Sequence, residues 1–139
     1  MRNTKPISTI MSTNIITLKK DDELETAELL FKRHKIRHIP VVKNEAIIGM
    51  LSYTDLLRIS FADAVDETET EIETLVYNMF TIEQVMAKNV ITVSSDASIK
   101  DVALILAQKE FHALPVVDDD RLVGIVTTTD LINYLLKEL

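Results

Sequence analysis

The chain has 139 residues, 47% hydrophobic and 27% charged, a balance that suits a folded domain rather than a disordered one. A net charge of −7 disfavours nucleic acid as a partner, and the absence of cysteine removes disulfides, thiolate nucleophiles and Cys-rich zinc sites. No apolar run approaches the ~20 residues of a membrane span and the N-terminus leads into no secretory-type segment, so the expectation is a cytoplasmic protein without a membrane partner.

Residues 1 to 6 read as an arm with little to hold it. Ser8-Thr9-Ile10-Met11 then spells a helical turn, and Ile82-Glu83-Gln84-Val85-Met86 repeats it. Residues 15–18 and 90–93 are short, β-branched and mostly apolar, which predicts a buried strand in each place. A helix follows each strand. Asp22 with Glu25, and Ser98 with Asp101, stand three apart and predict capping pairs at the helix starts. Leu24, Ala27, Leu30 and Phe31, and Ile99, Val102, Ala103 and Leu106, recur at helical spacing and predict a core-facing side.

Residues 39–42 and 47–51, and again 114–117 and 122–126, predict antiparallel hairpins closed by short polar turns. Proline cannot donate to a sheet ladder, so Pro40 and Pro115 are expected at a strand start or an edge. A second helix follows each Thr-Asp-Leu. Between the halves, residues 59–81 hold an acidic run, 66–71, and then Ile72, Leu75, Val76, Met79 and Phe80 at helical spacing, expected as an exposed turn and an amphipathic helix. The carboxylate run is read as solvated rather than metal-binding.

Aligning Met11 with Met86 sets an offset of 75 that holds without a gap from 11 to 58 against 86 to 133. Thirteen of those positions are identical, among them Pro40-Val41-Val42, Gly49 and Thr54-Asp55-Leu56 with their partners. Both glycines of the chain fall in register, so one structural unit has been built twice. A unit of about 60 residues buries only about 60% of its unfolded surface and is marginal alone, so the halves are expected to need each other.

The β-α-β-β-α order, the duplication, Pro-Val-Val before a polar turn and Gly-x-x-(Ser/Thr)-x-x-Asp together resemble the cystathionine-β-synthase (CBS) domain family, two copies of which form a Bateman module. The resemblance covers about residues 8 to 136. It implies an α/β fold of two tandem CBS repeats packed as a pseudo-two-fold pair: repeat one with its arm at 1–58, the acidic linker and helix at 59–81, and repeat two at 82–139. It further implies regulatory binding of AMP, ADP or ATP in clefts between the repeats, a homodimer, and transmission of the bound state to a partner protein.

In the family pattern the aspartate takes the ribose hydroxyls, which carries over to Asp55 and Asp130. An ionised carboxylate can accept from both hydroxyls at once, although aspartate in this position also serves simply as a helix cap. Phosphate-binding positions carry over to Ser52 and Thr127, near helix N-termini, and to Arg37, His38 and His112 before the motif prolines. The adenine is expected near Ile16 and Thr17, and Ile91 and Thr92, where plain core packing is the competing reading. Arg37-His38 against His112-Ala113 predicts unequal sites, copy one suiting the more phosphorylated ligand.

No catalytic motif, metal-binding spacing or required cofactor is read in the chain, so a non-enzyme is expected. The alternatives are a ligand-free structural or dimerisation module, or the same fold binding S-adenosylmethionine, NAD(H) or a cyclic dinucleotide.

Overall fold

The computed structural model describes residues 5–63, 79–109 and 112–139, with backbone only at 60–63. The acidic run and most of the segment expected as an amphipathic helix lie outside the described residues. Of that segment, Met79 is 71% exposed and Phe80 packs against the core of the first copy. The chain divides into two compact units, Ile16–Val90 and the combination of Met1–Ile15 with Ile91–Leu139.

The unit Ile16–Val90 contains strand β1 (Leu18–Lys19), helix α1 (Leu24–His34), strands β2 (His38–Lys43) and β3 (Ala46–Ser52), helix α2 (Tyr53–Asp63) and the short helix α3 (Ile82–Val85). The sheet order is β1-β2-β3, parallel then antiparallel. The second unit has a 3-10 turn (Ile7–Thr9), helix α4 (Ile99–Lys109), strands β4 (Ala113–Asp118) and β5 (Arg121–Thr127), and helix α5 (Thr128–Glu138). Its β4–β5 ladder repeats the β2–β3 register residue for residue, down to a bulge between Val116 and Val117 that matches the one between Val41 and Val42.

The hairpin turns explain the register. Asn44 and Glu45 have φ of 54° and 80°, and Asp119 and Asp120 have φ of 50° and 63°. Positive φ at both central residues is the type I′ turn, whose twist matches that of the flanking strands, and Asn and Asp tolerate it well. Glu45 does so at greater cost.

The first strand is shorter than expected. β1 covers only Leu18–Lys19, and in the second copy a single parallel bridge, Val93 with Val116, stands in its place. Proline is the reason. Val93 N–H donates to the Pro115 carbonyl at 3.2 Å and Val117 N–H to the Val93 carbonyl at 2.8 Å, but the next rung upstream would need an N–H from residue 115. Pro40 also corrects an expectation: it is the third residue of β2, which has neighbours on both sides. Opposite it, Met50 turns its own N–H and carbonyl to Ala87, at 3.0 and 2.9 Å, so β3 asks no donor of the proline.

Capping differs from the expected pairs as well. Glu23, with no side-chain bond, begins α1, while the Asp22 carboxylate accepts the Lys19 N–H at 2.8 Å and so serves the preceding turn. Ser98 Oγ does accept the Asp101 N–H, at 3.0 Å. The helix faces follow the periodicity: Leu24, Ala27 and Phe31 are buried in α1, and Ile99, Val102 and Leu106 in α4.

The sequence copies are contiguous, but the packed cores are not. Ile82 and Met86, which lead into the second copy, lie in one core with Leu18, Leu24, Phe31, Ile39 and Val41 of the first. Ile7, which leads into the first copy, lies in the core with Val102, Leu114, Val116 and Val126 of the second. Ile7 and Ile82 are fully buried, each contributing about 1.5–3 kcal/mol of apolar burial. The arm is held more firmly than the sequence implied: the Lys5 carbonyl accepts the Ile99 N–H at 2.9 Å, and Pro6 bridges to Ser98.

Each lead-in is seated over a glycine. A Cβ at Gly49 would fall 2.8 Å from Met86 Cγ and 2.9 Å from the Ala87 carbonyl oxygen, and one at Gly124 would fall 2.6 Å from Met11 Sδ. Backbone bonds lock the same places, Met50 with Ala87 and Ser12 with Ile125. The two glycines are therefore sites of close approach.

Candidate functional site

In each copy the second strand of the hairpin runs directly into a helix, and Ser/Thr-x-x-Asp spans the junction. Ser52 ends β3 and Asp55 lies in the first turn of α2; Thr127 ends β5 and Asp130 lies in the first turn of α5. Ser52 Oγ accepts the Asp55 N–H at 3.0 Å, and Thr127 Oγ1 accepts that of Asp130 at 3.1 Å. These bonds satisfy one of the amide donors that a helix start leaves unpartnered. Each hydroxyl still has its own proton to donate.

The ladder brings the lead-in residues to the same junction. His38 is the register partner of Ser52, and the Tyr53 N–H donates to the Arg37 carbonyl at 2.8 Å. In the second copy Ala113 is the partner of Thr127, and the Thr128 N–H donates to the His112 carbonyl at 3.0 Å. The backbone thus brings positions 37 and 38 to the junction that holds Ser52 and Asp55, and position 112 to the one that holds Thr127 and Asp130. Arg37 and His112 are exposed, while His38, Ser52, Asp55, Thr127 and Asp130 are half-buried.

The base candidates lie on a separate segment of each copy. Ile16 and Thr17 directly precede β1, and Ile91 and Thr92 directly precede the Val93 bridge. Among the described hydrogen bonds and strand pairings none joins them to the aspartates. Ile16 is half-buried and Ile91 38% exposed, and neither belongs to a core cluster.

The two carboxylates are held differently. Asp55 Oδ1 accepts from Arg58 Nη1 at 3.2 Å. Asp130 Oδ2 instead accepts the Thr127 N–H at 2.9 Å, which completes a reciprocal capping box. Sequence reasoning does not single out Arg58, although its i+3 spacing from Asp55 on one helix carried the signal.

A second difference lies away from the junctions. Asp118 accepts Ser95 Oγ–H at 2.5 Å and Ser95 N–H at 3.0 Å, which holds its carboxyl below the ordinary carboxylate range. The corresponding residues of the first copy are Lys20 and Lys43. An open pocket of about 180 Å³ at the start of α1, lined by Lys20, Asp21, Glu23, Glu25 and Phe80 among others, includes none of the candidate residues. Among the described residues no group of three or more His, Cys, Asp or Glu could hold a metal ion, and no helix is long and apolar enough to cross a membrane.

The family model for the CBS domain matches residues 7–62 and again 82–137. The chain belongs to the CBS domain family. Its CBS repeats are those of a mixed α/β fold, two in tandem. The uncharacterized protein MJ1225 of Methanocaldococcus jannaschii is 32% identical over 132 residues, which are 94% of this chain and 43% of that protein, so the chain spans less than half of that relative's length. The CBS domain-containing protein YhcV of Bacillus subtilis is 28% identical over 129 residues, 92% of this chain and 84% of that one. Among solved structures, the CBS domain pair of protein MJ0100, in complex with 5′-methylthioadenosine and S-adenosyl-L-methionine, superposes with a TM-score of 0.80 at 27% identity, covering 98% of this chain and 99% of that one.

Proposed function

We propose that this CBS pair is a regulatory module that binds an adenosine-containing nucleotide, AMP, ADP or ATP, and passes the bound state to a partner protein. The observation that carries the reading is the junction in each copy, where one half-buried aspartate and one hydroxyl meet the residues before the motif proline at the start of an 11-residue helix. In this reading Asp55 and Asp130 accept the ribose hydroxyls. Ser52 and Thr127, with Arg37, His38 and His112, receive phosphate, which the positive end of a helix dipole favours. Ile16, Thr17, Ile91 and Thr92 border the base, and the exposure of Ile91 supports a binding surface over plain core packing there.

The role is one of binding rather than catalysis, with no cofactor required, and it is exercised by a cytoplasmic homodimer. Regulation follows as a population shift: the ligand favours whichever conformation holds it better, and the partner reads that conformation.

The ligands of the MJ0100 domain pair favour a second reading, a sulfur-substituted adenosine such as S-adenosylmethionine. It shares the ribose contact and dispenses with the phosphates. A thermal-shift panel separates the readings. Ligand at 100 times its dissociation constant adds about 2.7 kcal/mol of stability, a shift of several degrees for a protein of this size. We expect AMP or ATP to raise the midpoint. A shift with S-adenosylmethionine alone selects the second reading, and no shift with any of these or with NADH at millimolar concentration refutes both and leaves a structural module or a cyclic-dinucleotide site.

A further inference from the structure

We propose that Arg58 is the positioning residue of the copy-one ribose carboxylate and gives that site a steeper ionic-strength dependence than the copy-two site has. The proposal rests on the reading of Asp55 as a ribose ligand. Arg58 lies one turn after Asp55 on α2, and its Nη1 stands 3.2 Å from Asp55 Oδ1. The two side chains are 72% and 26% exposed. A pair that open to solvent does little for stability. Its effect is geometric: with Oδ1 drawn toward Arg58, the carboxylate is fixed in one rotamer, and Oδ2 with the remaining lone pair of Oδ1 is left for two hydroxyls.

In copy two the same task falls to a different donor. The Thr127 N–H holds Asp130 Oδ2 within a capping box, and the residue corresponding to Arg58 is Asn133, which carries no charge. A carboxylate bonded to a backbone amide inside a helix cap is screened by salt less than one paired with an exposed guanidinium. The guanidinium also has five donors and spends one on Asp55, so its outer edge remains cationic toward an anionic ligand. Arg58 and Arg37 together give copy one two permanent cations where copy two has His112 and Asn133.

The test uses the full chain and AMP as the probe, titrated calorimetrically at low and high salt. Asp130→Ala isolates the copy-one site and Asp55→Ala the copy-two site. Adding Arg58→Gln to Asp130→Ala is expected to weaken AMP binding about two- to fivefold, the scale of an exposed ion pair, and to flatten its salt dependence. Arg58→Lys restores the salt dependence but only part of the affinity, because the ammonium lacks the planar fork. The melting midpoint stays unchanged in both, and so does AMP binding in the Asp55→Ala background. Copy-one affinity and salt dependence unmoved by Arg58→Gln, in a chain where Asp55→Ala removes one site, overturn the proposal alone. If Asp55→Ala removes no site, the ribose assignment fails and this proposal falls with it.

Discussion

In copy one the first-turn aspartate leans on a charged side chain from its own helix; in copy two it is tied to the backbone amide that begins the helix. The hairpin register beneath them is the same to the residue, and each hydroxyl accepts the N–H of the aspartate three residues on. Duplication has therefore kept the scaffold and varied the electrostatics set on it. Copy one carries Arg37, His38 and Arg58, whereas copy two carries His112, Asn133 and the Ser95–Asp118 clasp. Matching hairpin and helix-start geometry with different charges would let two sites prefer different ligands of one class.

The comparison can be broken most forcefully through the cores. Ile82→Ala and Ile7→Ala should each cost about 2–5 kcal/mol by chemical denaturation, and the damage should cross the sequence boundary. Hydrogen exchange should quicken in β2–β3 for Ile82→Ala and in β4–β5 for Ile7→Ala. The opposite pattern would mean that each lead-in supports its own copy. Gly49→Ala and Gly124→Ala come next, at about 1–3 kcal/mol of overpacking. Gly49 should be the worse site, because the added carbon meets the Ala87 carbonyl oxygen as well as a methionine that can swing aside.

Smaller effects sharpen the contrast between the carboxylates. Asp130→Ala loses the capping-box bond to the Thr127 N–H and should cost about 1 kcal/mol of stability. Asp55→Ala loses an exposed ion pair and should cost no more than about 0.5 kcal/mol. The smallest difference lies in the acid limb. Ser95 lowers the Asp118 pKa in the folded state, so this contribution is present above the ordinary carboxylate range and is lost as pH falls through the folded value. Ser95→Ala should therefore flatten the decline of urea midpoints at acid pH. An unchanged acid limb would show that the clasp does not influence folding.

Much of this was legible because scarce residues were in register. Two glycines, two Pro-Val-Val segments and the Thr-Asp-Leu repeat gave the duplicated α/β unit, its hairpins and the helix after each aspartate. What periodicity could not give was pairing. The strand expected at 15–18 is truncated because Pro40 lacks an N–H on the edge that β1 must share, which is a property of two segments rather than of one. The exchange of Ile7 and Ile82 between cores was invisible for the same reason, since both lead-ins are equally apolar. Asp22 offered a helix cap and was used by the turn before it. At the candidate site the aspartates and hydroxyls could be named from the motif, but their holders could not. One holder is a side chain that no motif includes, and the other is a backbone amide, to which sequence is silent.

The most direct test of two unequal adenosine sites is a calorimetric titration of the full chain with ATP, repeated on Asp55→Ala and on Asp130→Ala. Two classes of site are expected, the tighter one lost in Asp55→Ala and the weaker one in Asp130→Ala, each by about tenfold or more as charged hydrogen bonds to the ribose disappear. A single class of sites whose affinity is the same in the parent and in both variants would contradict the account.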